Sequence, residues 1–156
     1  MNQKYVRREI FKRLRITFKR IYCPNSTSIS GYRFFDVGGQ YIGQCELPYM
    51  SFFAKLYDNN YAEIVELAYG QHEGIHNNPI LPDWTTNIEY AFRDLVKADG
   101  FNLRYTDGLW EASTEGIFET GSTPSMAICL WFLKYSDDRE VDGYSVKNPP
   151  MSFWFD

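Results

Sequence analysis

Residues 72 to 76 read His-Glu-Gly-Ile-His, and His72 and His76 are the only histidines of the 156-residue chain. On a helix, histidines four positions apart share a face and can hold a zinc ion together. A glutamate beside the first can then act as general base on the metal-bound water. That chemistry makes His72 and His76 ligands and Glu73 the base of a minimal zinc-dependent hydrolase. Catalytic zinc takes a third protein ligand and keeps one position open. With no third histidine, a carboxylate has to serve, and Glu89 is the nearest that a downstream helix would carry.

The pentapeptide resembles the H-E-x-x-H signature of the zincin metallopeptidases, over these five residues only. The resemblance implies zinc as cofactor. The surroundings depart from it. Gly70 is a natural helix stop, Gly74 falls inside the motif, and Asn77-Asn78-Pro79 follows where zincins usually place an apolar residue two positions after the second histidine. Glu89 also has a simpler role, as a capping glutamate or an i+4 partner of Arg93. The reading preferred here is two loop histidines with no cofactor, and zinc is the alternative.

Other reactive patterns are weaker. The chain contains no G-x-x-x-x-G-K-[ST], no G-x-G-x-x-G and no G-x-S-x-G. Cys23, Cys45 and Cys129 are an odd, widely spaced set without a C-x-x-C pair, which argues against a disulfide framework and a cysteine zinc site. Cys129 lies in the most apolar segment and reads as core. Cys45 stays open as a formal partner for a histidine nucleophile pair.

Charge is the next signal. Residues 1–20 carry eight basic side chains against Glu9 alone, while the other 136 residues carry 19 acidic and 8 basic ones. The basic run predicts either an internal pairing with the acidic body or a surface for nucleic acid or a membrane. The acidic body disfavours nucleic acid and suits a basic protein partner. Candidate contacts are Asp137, Asp138, Glu140 and Asp142, with Glu63 and Glu66 on a helix. No apolar run approaches the roughly 18 residues of a membrane span. The opening segment is too basic and interrupted for a signal-peptide core, so a cytoplasmic location is expected.

The elements that would position these groups follow from periodicity. Val6, Ile10, Leu14, Phe18 and Ile21 predict a helix over about 3–21, although Leu14 to Phe18 also alternates like a strand. Tyr32 to Leu47 predicts a hairpin around Gly38-Gly39, and 48–57 a short helix. Asn60 with Glu63 predicts a capped helix whose inward stripe is Tyr61, Ile64, Val65 and Ala68. Asp83 or Thr86 opens a further helix lined by Trp84, Ile88, Ala91, Phe92 and Leu95 and closed by Gly100. Asp107-Gly108 predicts a tight hairpin that sets Tyr105 opposite Trp110, Leu103 opposite Ala112 and Arg104 opposite Glu111. Thr123-Pro124 marks a helix start, although the apolar run 126–133 also fits a central strand. Residues 137–140 read as a loop, and 141–146 and 151–155 as short strands.

Together these predict one α+β domain over 1–156, with antiparallel hairpins packed on about four helices. An aromatic fraction of 18% and a hydrophobic fraction of 44% exclude a disordered chain. The function expected is a small cytoplasmic, non-catalytic module that occludes a basic partner. In size and composition it resembles immunity proteins, antitoxins and phage-encoded inhibitors, whose partner would be a basic toxin, such as a nuclease, or a host enzyme. The alternatives are the zinc hydrolase and a nucleic-acid- or membrane-associated factor using the basic helix.

Overall fold

The helical spacing that begins at Gln3 holds only as far as Arg13. Helix α1 (Gln3–Arg13) buries Val6, Arg7, Ile10 and Phe11, and its last turn carries Lys12 and Arg13, which suits the negative end of the helix dipole. Arg15 then takes a left-handed conformation (φ 58°), which stops the helix. Strand β1 (Thr17–Tyr22) follows. The helix expected to run to residue 21 is therefore replaced in its second half by a strand. The alternation from Leu14 to Phe18 is the pattern that prevails, because Phe18 gains burial beside the rings of Tyr32 and Phe34.

The computed structural model describes residues 2–47, 60–70, 79–137, 140–141 and 144–145. They show an α+β architecture with four helices and two three-stranded antiparallel sheets. The chain divides into two compact units, one made of Met1–Arg13 with Pro82–Lys147, the other of Leu14–Leu81 with Asn148–Asp156.

In the Leu14–Leu81 unit, β1, β2 (Ile29–Phe35) and β3 (Tyr41–Glu46) form a sheet in that order. The β2–β3 hairpin is the one predicted around Gly38-Gly39. The Asp36 carboxylate closes its turn by accepting the N–H groups of Gly38 and Gln40, both at 2.9 Å. Phe18, Tyr32, Phe34 and Cys45 line the buried face. Helix α2 (Tyr61–Ala68) starts where Asn60 accepts the Glu63 N–H at 3.4 Å, and it buries Ile64, Val65 and Ala68 as its stripe predicts. The helix expected over 48–57 lies outside the described residues.

In the other unit, the Asp107-Gly108 turn forms with both residues at positive φ (54° and 83°), the geometry a two-residue hairpin needs. Strands β4 (Asn102–Thr106) and β5 (Leu109–Thr114) pair in the predicted register. A third strand, β6 (Ile117–Gly121), which the hydrophobic pattern did not reveal, extends the sheet. Helix α3 (Ile88–Leu95) is shorter than expected at both ends. Its cap is Asn87, accepting the Tyr90 N–H at 3.2 Å, in place of the Thr86–Glu89 box. Asp83 instead closes a preceding turn by accepting the Thr85 N–H at 3.1 Å. Val96 is already extended, so Gly100 belongs to the turn before β4 and does not end the helix.

Helix α4 (Pro124–Ser136) is the segment that fitted helix or strand equally. Thr123 accepts the Met126 N–H at 3.2 Å and Pro124 occupies the first turn. Ser125, Ala127, Ile128, Cys129, Trp131 and Leu133 are buried, so the helix is covered on most sides. Strands β7 (Glu140–Val141) and β8 (Tyr144–Ser145) make a short ribbon where 137–146 was read as a loop and one strand. The strand expected at 151–155 lies outside the described residues.

Sheet and helix meet closely at Gly121, where a Cβ would stand 2.6 Å from the backbone nitrogen of Ala127. Backbone cannot yield there as a flexible side chain would. Gly121→Ala is expected to destabilise the protein by about 1–3 kcal/mol, read as a lower midpoint in denaturant unfolding. An unchanged midpoint contradicts the close approach.

Candidate functional site

His72, Glu73 and His76 lie outside the described residues, but the backbone on both sides of them is clear. Helix α2 ends at Ala68, Tyr69 is its cap, and Gly70 takes a left-handed φ of 68°. In a continuing α-helix, the Ala68 carbonyl would accept the N–H four residues further on. Here it accepts the N–H groups of Ile80 (2.8 Å) and Leu81 (3.0 Å). The chain thus returns to the helix end after Gly70, and the carbonyl that would extend α2 into the motif is already occupied. Glu89, the third-ligand candidate, lies exposed in the first turn of α3. Among the described residues, no group of three histidine, cysteine or carboxylate side chains could hold a metal ion.

The cysteines are no better suited to nucleophilic work. Cys129 is fully buried and its Sγ donates to the Trp84 carbonyl at 3.2 Å. Loss of solvent pushes its thiol well above the ordinary range, and Asp83 adds to the shift. Burial likewise pushes Cys45 up to about 12. Both thiols stay protonated far above neutral pH, and a thiol is a poor nucleophile. Cys23 is half-buried.

The charged candidates divide between the units. Glu63 and Glu66 are on α2 of the Leu14–Leu81 unit, and Asp137 and Glu140 are in the other. Glu66 is only 5% exposed, so its burial removes it from any docking surface. Glu63 is half-buried in the first turn of α2, where a carboxylate suits the helix dipole. Asp137 forms an ion pair with Arg13. Asp138 and Asp142 lie outside the described residues. Other cations of helix α1 are paired in the same way. Glu9 accepts from Arg13 at 3.0 Å and from Lys12 at 3.2 Å, and Arg7 reaches Asp83 at 3.4 Å. Of the two readings of the basic run, internal pairing describes α1.

The surface that sequence reading missed is on α3. Ile88 and Phe92 were assigned inward with Ala91 and Leu95, and the last two are indeed buried. Ile88 is 40% and Phe92 52% exposed, and together with Glu89 and Arg93 they line a shallow apolar depression. The helix is held in place by Asp94, which accepts the Trp84 Nε1–H at 2.7 Å and the Arg93 Nε–H at 2.7 Å. Partial burial opposes ionisation of Asp94, but the bonds from Arg93 and Trp84, with the positive charge of Arg93 and Lys97, outweigh it. They hold the carboxyl below its ordinary range. The Arg93 guanidinium lies 4.4 Å from the centre of the Tyr90 ring, while the Phe92 ring meets Phe101 edge to face, with centres 5.9 Å apart, and keeps its other side exposed. The signal was present in the spacing. Ile88 and Phe92 share a flank at i and i+4, but a stripe assignment could not separate the flank from the centre.

No protein family model, curated protein or solved structure matches the chain. In the described residues, no helix is long and apolar enough to cross a membrane.

The thiol environments predict selective labelling. At pH 8, a disulfide reagent should modify about one thiol per native chain, at Cys23, because Cys45 and Cys129 are both buried and protonated. All three should react in denaturant. Rapid native labelling of Cys45 or Cys129 contradicts the assignment.

Proposed function

We propose that the chain is a non-catalytic binding protein that works by occluding a basic protein partner, with α3 at the centre of the contact. The observation that carries this reading is the outward-facing Ile88–Phe92 pair on a helix whose opposite face is fixed in the core. Aromatic residues, Phe among them, are enriched at the buried centre of protein–protein interfaces. The unit that holds α3, residues 1–13 with 82–147, carries 13 acidic against 11 basic side chains, a small acidic excess that includes the run Asp137, Asp138, Glu140 and Asp142. A field of that sign speeds encounter with a positive surface and rejects negative ones. The partner we propose is a basic toxin, such as a nuclease, or a host enzyme, and the chain's role that of a cytoplasmic immunity or inhibitor protein. The occupied Ala68 carbonyl supports the non-catalytic part, because α2 does not carry its register into the histidine motif.

The test is affinity capture from the cell that produces the protein, comparing the native sequence with Phe92→Asp and with Glu89→Lys. A basic protein retained in near-equal amount by the native chain, and lost with Phe92→Asp while far-UV circular dichroism is unchanged, is the expected result. Glu89→Lys should slow association and reduce its salt dependence. A partner retained equally by Phe92→Asp, or no stoichiometric partner at all, overturns the reading.

A further inference from the structure

The replacement of helix by strand at residue 17 has a consequence on the first sheet. It sets Lys19 directly opposite Arg33, which in turn faces Gln44, so two cations and an amide form one cross-strand row. All three are exposed, on the face opposite the buried Phe18, Phe34 and Cys45. Like charges placed directly opposite on a sheet repel. The row itself supplies no carboxylate, and the Arg33 Nε–H donates to a neutral acceptor, Gln44 Oε1, at 3.4 Å. Among the described strand residues on this face, the only acidic one is Glu46, opposite Gly31 at one end. At the other end, Phe35 and Tyr41 meet edge to face, with ring centres 6.2 Å apart, and Tyr41 is 52% exposed. The Tyr41 hydroxyl donates toward the same Gln44 oxygen at 3.4 Å. An exposed ring therefore flanks two cations and an amide on the outer face of the sheet.

We propose that this outer sheet face, through Lys19, Arg33, Gln44 and Tyr41, binds single-stranded nucleic acid. Phosphates relieve the Lys19–Arg33 repulsion, and a base stacks on Tyr41, since every base has a π-face and stacking on aromatic side chains is tolerant of sequence. Gln44 carries both donor and acceptor for a base edge. The exposed Tyr41 ring suits the open face of an unpaired base, which a duplex keeps stacked, and that favours one strand over two. The face belongs to the Leu14–Leu81 unit and is independent of the α3 contact.

The test is fluorescence anisotropy of the full-length chain with a labelled oligothymidylate of about 12 nucleotides, a length within the span of single-strand binding folds. Unlabelled duplex of equal length and polyglutamate serve as competitors. Binding should weaken with salt. Arg33→Gln and Lys19→Gln should each reduce the log–log salt slope by about 0.7, the value for one phosphate on a single strand. Tyr41→Ala should weaken binding about tenfold with the slope unchanged, and Tyr41→Phe should retain it. Circular dichroism of each variant confirms the fold. Absence of binding at low salt overturns the proposal. So does equal competition by polyglutamate, which would mark an acidic-polypeptide site. Affinity unaffected by Tyr41→Ala also overturns it, as does stronger competition by duplex.

Discussion

Helix α4 is the constraint on which one unit of the structure depends. Its sequence from Met126 to Leu133 is apolar almost all round, so it cannot be stable with a face in water. Two helices, α1 and α3, and the β5–β6 part of the sheet cover it. Trp131 is fully buried among Phe101, Tyr135 and Ala112, and its Nε1–H donates to Thr114 at 3.1 Å. Burying one large apolar side chain of this kind contributes about 1.5–3 kcal/mol, and α4 buries several. Each covering element uses one face for that purpose. What remains outward on α3 is then available for contact, and its Ile88–Phe92 pair is the consequence.

The basic N-terminal segment shows how one charge run can serve two purposes. Its helical part, α1, meets Glu9, Asp83 and Asp137, so those cations hold the unit together. Arg7 is buried in the process, and a buried guanidinium requires such a partner. Past Arg15, the chain enters β1, and Lys19 faces outward beside Arg33. A segment that looks uniform in the sequence is therefore divided by a single left-handed residue into a helix with internally paired cations and a strand that buries Phe18 and presents Lys19 outward.

Local chemistry made much of the fold legible. The Asp107-Gly108 turn, the Thr123-Pro124 start and the Asn60 cap each have a short-range cause, and each appears at the residue expected. Features decided by tertiary burial were not legible. Phe18 fits a helical stripe and a strand equally until Tyr32 and Phe34 are beside it, and β6 has no strong alternation of its own. The candidate contacts suffered for the same reason. Glu66 carries a charge and still lies inside, while Phe92 is apolar and lies outside. Residue type gives the sign of a preference, and neighbours decide whether it is met.

We propose that this chain acts through its surfaces and that His72 and His76 hold no metal. Elemental analysis of the purified protein, after equilibration with zinc and removal of excess ion, decides between the two readings of the pentapeptide. Zinc far below one equivalent is expected, with the same trace level in His72→Ala. Close to one tightly held equivalent, lost on His72→Ala, would contradict it and make the pentapeptide a metal centre.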